Sequence, residues 1–255
     1  MTNEINCLGK MLTKARTKLV KSLKLKKNRK QKQLFVVEGA KNVIELLDSD
    51  FLIHSLYATK DFITTHAKVL NLHDIEILRS SESQLTEMST FKSNEQALSV
   101  VKIKENESLK ALNKEFAVML ENVQDPGNLG TILRVCDWYG IKKVIASEDC
   151  VDIYNPKVIS ASMGSFTRVQ IFYTSLRKFI ERNPAPYFGA FMNGSSVHEF
   201  EFGSWGYIIL GNESNGISNE LDEFIDQRIS IPSYGTAESL NVGIATAVIL
   251  DNLRR

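Results

Sequence analysis

The sequence predicts an α/β protein built from two domains. Short apolar runs of strand length alternate with segments whose apolar residues recur at helical spacing, along almost the whole chain. A polar stretch, Lys104-Glu-Asn-Glu-Ser-Leu-Lys110, interrupts that alternation and places a boundary near residue 106. The 255 residues, 43% hydrophobic and 24% charged, hold enough apolar material for cores of ordinary size. Five Pro and 14 Gly are too few for a disordered or collagen-like chain. No apolar run nears the roughly 20 residues that span a bilayer, and the opening MTNEINCLGK lacks the apolar stretch of a secretory signal. Cys7, Cys136 and Cys150 have no CxxC spacing, as expected of reduced thiols. The expectation is a soluble cytoplasmic protein with no membrane partner.

The first domain, residues 1–105, opens with a basic arm at 10–33. Lys10, Lys14, Arg16, Lys18, Lys21, Lys24, Lys26, Lys27, Arg29, Lys30 and Lys32 stand there without a single Asp or Glu. The net charge of +1 conceals this, because the remaining 20 basic residues face 30 acidic ones. Leu12, Ala15, Leu19 and Leu23 recur at helical intervals, so the arm reads as a short helix with one apolar stripe. A polyanion partner, a solvated charged face and a membrane surface all fit that pattern. The stripe has no Trp or Phe, which weakens the membrane reading. Strands are then expected at 34–37, 53–58, 75–78 and 97–103, with Gly39 as a turn. Helices are expected at 41–47, with Val43, Ile44 and Leu47 inward, at 61–71 and at 81–88.

The second domain, residues 106–255, repeats the alternation. Strands are expected at 116–120, 143–146, 169–172, 187–190, 207–210 and 229–231. Helices are expected at 129–139, 156–163, 175–181 and 239–253, the last with Val242, Ala245, Val248, Ile249 and Asn252 on neighbouring faces.

Three loops of this half carry the chemistry. The first, Glu121-Asn-Val-Gln-Asp-Pro-Gly-Asn-Leu-Gly-Thr-Ile-Leu-Arg134, leaves a strand through turn residues, with Asn128 read as the helix cap. The second, Ile208-Ile-Leu-Gly-Asn-Glu-Ser-Asn-Gly-Ile217, puts two glycines and polar side chains just past a strand's C-terminal end, where open α/β sheets bind ligands. No Gly-x-Gly-x-x-Gly run occurs anywhere. The third, Ile229-Ser-Ile-Pro-Ser-Tyr-Gly-Thr-Ala-Glu-Ser-Leu-Asn-Val-Gly243, leads into the final helix, with Ser239 read as a cap rather than a nucleophile because no Gly-x-Ser-x-Gly elbow surrounds it. His54, His66, His73 and His198 are scattered without metal-ligand spacing, so no metal is expected.

Taken in order, the three loops resemble the signature motifs of the SpoU (TrmH-like) branch of the SPOUT RNA methyltransferases. The positions are Asn122, Asp125, Pro126, Asn128, Gly130 and Arg134; then Gly211, Asn212, Glu213 and Gly216; then Ile231, Pro232, Gly235, Ser239, Leu240, Asn241 and Val242. The resemblance covers residues 116–255. The first domain resembles that family's small RNA-binding domain, itself similar to certain ribosomal proteins, and Phe35-Val-Val-Glu-Gly39 fits its opening.

The resemblance implies a parallel-sheet domain with a deep trefoil knot, a homodimer, and methyl transfer from S-adenosylmethionine to a ribose 2′-hydroxyl of RNA, ribosomal RNA first. Transfer RNA, and a non-catalytic RNA-binding or ribosome-assembly protein on the same fold, remain alternatives. It further implies that Leu210, Gly211, Asn212, Ile231, Ser233 and Leu240 hold the cofactor. Arg134, Asn128, Glu213, Ser239 and Asn241 form the catalytic group, and Lys10, Lys14, Arg16, Lys18, Lys21, Lys26, Lys27, Arg29 and Lys30 meet RNA. Family proposals make the arginine a general base. A guanidinium with a pKa above about 12 keeps its proton, so Arg134 is read here as the cation that orients a phosphate. Trp138 and Tyr139 are read as core or dimer-interface residues.

Overall fold

The computed structural model describes residues 12–91 and 96–255, which fall into two units. Residues up to Glu105 join Tyr154–Thr167 in the first, and Asn106–Ile153 join Arg168–Arg255 in the second.

In the first unit, β1 (Leu34–Glu38), β2 (Ile53–Ala58), β3 (Ile77–Arg79) and β4 (Ala97–Lys102) form a mixed sheet of order β1-β4-β2-β3. β4 is antiparallel to both of its neighbours and β2 is parallel to β3. On one face, Val20 and Leu23 from the arm, with Leu85 and Met88, close a core over Val36, Tyr57, Leu78, Leu98 and Val100. The period-two alternation of strand side chains sends Phe35 to the other face. There its ring lies 4.6 Å from that of Tyr154 and 6.4 Å from that of Phe166. Residues 154–167 follow the expected boundary in sequence, yet their helix α8 (Pro156–Ser162) packs on β1.

The arm is two helices rather than one. α1 (Lys14–Ser22) is capped by the Thr13 hydroxyl, and α2 (Lys26–Lys32) follows after a break at 23–25. The buried stripe is Val20 and Leu23, with Leu19 half-buried and Ala15 exposed, so the inward face is shifted from the one expected. α3 (Ala40–Leu47) follows β1. The helix expected at 61–71 divides at His66 into α4 (Lys60–Thr65) and α5 (Ala67–Leu70). α6 (Glu82–Met88) starts with a reciprocal capping box between Ser81 and Gln84.

The second unit is built on β5 (Phe116–Leu120), β6 (Lys143–Ala146), β7 (Gln170–Tyr173), β8 (Tyr187–Ser196), β9 (Gly206–Leu210) and β10 (Gln227–Ser230). All five pairings are parallel, in the order β10-β8-β9-β5-β6-β7. β5 and β9 are buried at every residue, which is why both read as unbroken apolar runs. From β5 the chain moves outward through β6 and β7, then returns so that β9 lies on the opposite side of β5. The C-terminal ends of β5 and β9 therefore meet at the point where strand order reverses, the place an open parallel sheet offers a ligand.

α7 (Pro126–Trp138), α9 (Leu176–Arg182), α10 (Asn219–Asp222) and α11 (Val242–Leu253) surround this sheet. α7 begins three residues before the expected start. Asp125, not Asn128, is its cap, accepting from the Asn128 N–H at 2.8 Å, and Pro126 fills the first helical position, where its missing N–H costs nothing. Likewise α11 is capped by Asn241, not Ser239. α11 packs against α7. A Cβ on Gly243 would lie 2.9 Å from the Thr131 methyl, so this close approach requires glycine. Among the described residues no helix is long and apolar enough to cross a membrane.

Candidate active site

Three segments meet past the ends of β5 and β9, and uncharged side-chain amides join them. Asn241 fixes the direction of the chain: its Oδ1 accepts from the Gly243 and Ile244 N–H groups at 2.9 and 3.4 Å, which leaves its amide NH2 as a donor. That group donates to Asn128 Oδ1 at 2.8 Å, and Asn128 Nδ2 in turn donates to Glu213 Oε1 at 2.7 Å. An asparagine offers an acceptor on one side and a donor on the other. Two in series therefore carry the polarity of the α11 N-terminus to a carboxylate that can only accept. Because the cap of α7 is Asp125, the Asn128 side chain is free for this task.

The second segment is shaped by its own backbone. Asn212 and Gly216 exchange N–H···O bonds at 3.0 and 2.9 Å, and Asn212 Oδ1 accepts from Ser214 and Asn215 N–H. Gly216 adopts φ +67°, and a Cβ on Gly211 would fall 2.1 Å from the Gly216 carbonyl carbon. No side chain fits there. Asn212 Nδ2 donates to the Asn122 carbonyl at 2.8 Å, tying this segment to the first. Asn122 itself sits at φ +53°, a left-handed conformation Asn tolerates, and its N–H donates to Ser147 Oγ at 2.8 Å.

The expected residues separate into two groups. Asn128, Glu213, Asn241 and Asn212 are joined directly. Leu210 is buried at the end of β9, and Gly211 is half-buried beside it. Ile231 is half-buried, whereas Ser233, Ser239 and Leu240 are exposed in the third segment. Ser239 neither caps α11 nor makes a hydrogen bond among the described residues. Arg134 projects from α7 into solvent with no hydrogen bond or ion pair among the described residues, one helical turn before Trp138, which is 83% exposed and so not a core residue. Tyr139 is half-buried and donates to Asp251 at 3.3 Å.

Sequence reasoning passed over Glu121, whose carboxylate accepts from both the N–H and the hydroxyl of Ser218 at 2.8 and 2.6 Å. Nothing but its place at a strand end marks it. Cys136 and Cys150 are buried, and burial pushes both thiols up, so neither is a poised nucleophile.

The arm divides as well. Lys14, Lys18, Lys26, Lys27, Lys30 and Lys32 are exposed. Lys10 lies outside the described residues. Arg16 forms a two-pronged pair with Glu76 at 2.7 and 3.0 Å, Lys21 pairs with Glu87, and Lys24 donates to the Ser89 carbonyl. Arg29 is a correction. It is only 2% exposed, and its Nη1 donates to the Leu23 and Lys24 carbonyls at 3.0 and 2.9 Å, so it secures the turn between α1 and α2 and is not available to RNA.

Comparison with known proteins agrees with this geometry. Residues 115–251 match the SpoU rRNA Methylase family, and residues 14–99 match an MRM3-like substrate binding domain. The 23S rRNA (guanosine(2553)-2'-O)-methyltransferase RlmP of Bacillus subtilis is 29% identical over 238 residues, covering 92% of this chain and 94% of its own length. Among solved structures, a TrmH-family protein from Porphyromonas gingivalis superposes with a TM-score of 0.85 at 33% identity, over 96% of this chain and 99% of that one. An AdoMet-bound rRNA methyltransferase from Sinorhizobium meliloti superposes with a TM-score of 0.85 at 26% identity, over 95% of each chain. The chain belongs to the SpoU rRNA methylase family.

Proposed function

We propose that the protein transfers a methyl group from S-adenosylmethionine to a ribose 2′-hydroxyl of ribosomal RNA in the cytoplasm. The observation that carries this reading is the chain Asn241–Asn128–Glu213, which unites the three motif segments at the strand-order reversal. The segments suit the cofactor: the backbone of the Gly211–Gly216 loop, apolar Leu210, Ile231 and Leu240, and amides beside the Glu213 carboxylate match a neutral nucleoside carrying a sulfonium. When bound, the cofactor supplies an electrophilic methyl. Every other requirement falls to the chain itself.

Arg134 is exposed on α7 and makes no hydrogen bond or ion pair among the described residues, as a residue that meets the phosphate beside the target ribose should be. A guanidinium grips phosphate with two parallel N–H donors. Its fixed charge also lowers the hydroxyl's pKa, so the proton passes to solvent water as the methyl arrives. Asn241, Asn128 and Glu213 hold the segments in register, Ser239 and Ser233 line the third segment, and alignment of the reacting atoms supplies most of the rate. The exposed lysines of α1 and α2 meet the RNA backbone. Val20 and Leu23 bury this arm in the first unit's core, which supports a built-in RNA surface rather than a flanking extension and so favours ribosomal over transfer RNA. A homodimer belongs to the same reading: Trp138 on α7 and Ile244 on α11, 83% and 52% exposed, offer apolar surface on two packed helices. Threading of the C-terminal segment into the family's knot is likewise inferred from membership.

Tritiated methyl transfer to total rRNA and, separately, to total tRNA tests the substrate. Label in rRNA that vanishes with Arg134→Ala is expected; label confined to tRNA would overturn the rRNA assignment. Sedimentation at micromolar protein tests the dimer, with a monomer as the contrary result.

A further inference from the structure

The segment 211–217 leaves β9 and returns within seven residues, and residues 121 and 122 hold both of its ends. At the start, the Glu121 N–H donates to the Leu210 carbonyl at 2.9 Å and the Asn122 carbonyl accepts from Asn212 Nδ2 at 2.8 Å. At the finish, Ser218 turns the chain into α10, its hydroxyl accepting from the Leu221 N–H. There both the Ser218 N–H and its hydroxyl donate to the Glu121 carboxylate, one to each oxygen. Between those anchors, among the described residues, the segment is held by its internal Asn212–Gly216 bridge, by the Asn212 side-chain bonds to Ser214, Asn215 and Glu213, and by the Asn128–Glu213 bond. Isoleucine 217 between them is buried in the core of the second unit. Ser218 is thus the last point at which the returning strand of the loop can be fixed before α10.

We propose that Glu121 is a positioning residue: by clamping Ser218 it closes the base of the 211–217 loop and sets the shape in which that loop receives S-adenosylmethionine. The proposal rests on the reading that this loop holds the cofactor. A carboxylate is the right group because it accepts two bonds and needs to donate none. Charge-assisted hydrogen bonds are also stronger than neutral ones. Glutamine at this place must turn an NH2 toward one of two donors, so one bond is lost and the other weakened. Glu121 acts through the loop and does not touch the reacting atoms.

The test uses the full chain and the variants Glu121→Gln, Ser218→Ala and the double variant, with thermal unfolding run on each. Binding of S-adenosylhomocysteine is expected to weaken about tenfold in Glu121→Gln and about threefold in Ser218→Ala. The double variant is expected to be no worse than Glu121→Gln within about twofold, because the two residues form one clamp. KM for S-adenosylmethionine should rise in parallel, while kcat at saturating cofactor stays within about twofold of the unmodified protein. Unchanged affinity in Glu121→Gln, a loss confined to kcat, or losses that multiply in the double variant would each overturn the clamp. Hydrogen exchange of the 211–217 amides without ligand decides the matter independently of the cofactor. Faster exchange in Glu121→Gln supports the clamp even if the unmodified protein binds no S-adenosylhomocysteine, which would instead refute the cofactor reading. Equal exchange overturns the clamp.

Discussion

The two units use their polar side chains in opposite ways. In the first, the charges set deep in the fold are spent on architecture. Arg29 closes the α1–α2 turn over two carbonyls, and the Glu38 carboxylate accepts from the Ser89 hydroxyl and the Thr90 N–H. What remains for a partner is a set of separate exposed lysines. In the second, the polar groups at the ends of β5 and β9 are mostly neutral, partly exposed and bonded to one another in a fixed direction. The contrast matches the two tasks proposed for them. Attraction of a polyanion through counterion release depends on charge and tolerates loose placement. Group transfer depends on alignment, and a misplacement of about 1 Å can cost two orders of magnitude in rate.

The largest effect is expected at Arg134. Arg134→Ala should lower kcat by about a thousandfold, worth about 4 kcal/mol of barrier, with S-adenosylhomocysteine affinity unchanged in calorimetry. Arg134→Lys should recover little, since an ammonium lacks the paired donors. Full activity in either would remove Arg134 from the site.

Arg29→Ala comes next and should behave in the opposite manner. Burial leaves the Leu23 and Lys24 carbonyls without their donor, so thermal and denaturant unfolding should show a loss of about 2–3 kcal/mol. The slope of log affinity for RNA against log salt should stay unchanged, because Arg29 is buried and turned onto backbone carbonyls. A lowered slope with unchanged stability would return Arg29 to the RNA surface.

Asn241→Asp sharpens the contrast inside the second unit. The aspartate still caps α11, so stability should change by less than about 0.5 kcal/mol. It cannot donate to Asn128, however, and two acceptors then face each other. Turnover should fall about thirtyfold; an active Asn241→Asp protein would show that the direction of the amide chain is irrelevant. The smallest effects belong to single lysines. Lys26→Ala and Lys27→Ala should each weaken RNA binding severalfold and lower the salt slope by about 0.9, with no change in kcat at saturating RNA. A slope unchanged in both would move the RNA surface elsewhere.

How legible these features were in the sequence depended on their range. The β/α alternation, the buried strands β5 and β9 and the three segments with their asparagines and glutamate are local patterns, and all were readable in order. The two cap assignments missed by two or three residues because Asp125-Pro-Gly-Asn128 and Ser239-Leu-Asn241 each offer two capping side chains. Pro126, which favours the first helical position, was the signal that could have chosen Asp125. Arg29 was illegible, since one arginine within a basic run is distinguished only by the carbonyls the turn folds onto it. So was the membership of Tyr154 and Phe166 in the first unit, because their partner Phe35 lies more than 100 residues earlier. Glu121 escaped for the same reason: its partner Ser218 is 97 residues away.

The central claim concerns the atom that receives the methyl group, and alkali tests it most directly. A ribose whose 2′-oxygen is methylated cannot attack its own phosphate, so alkaline hydrolysis leaves that linkage intact. Ribosomal RNA labelled by the protein with tritiated S-adenosylmethionine should release its label in alkali-resistant dinucleotides. Label recovered in mononucleotides would place the methyl on a base and contradict the account.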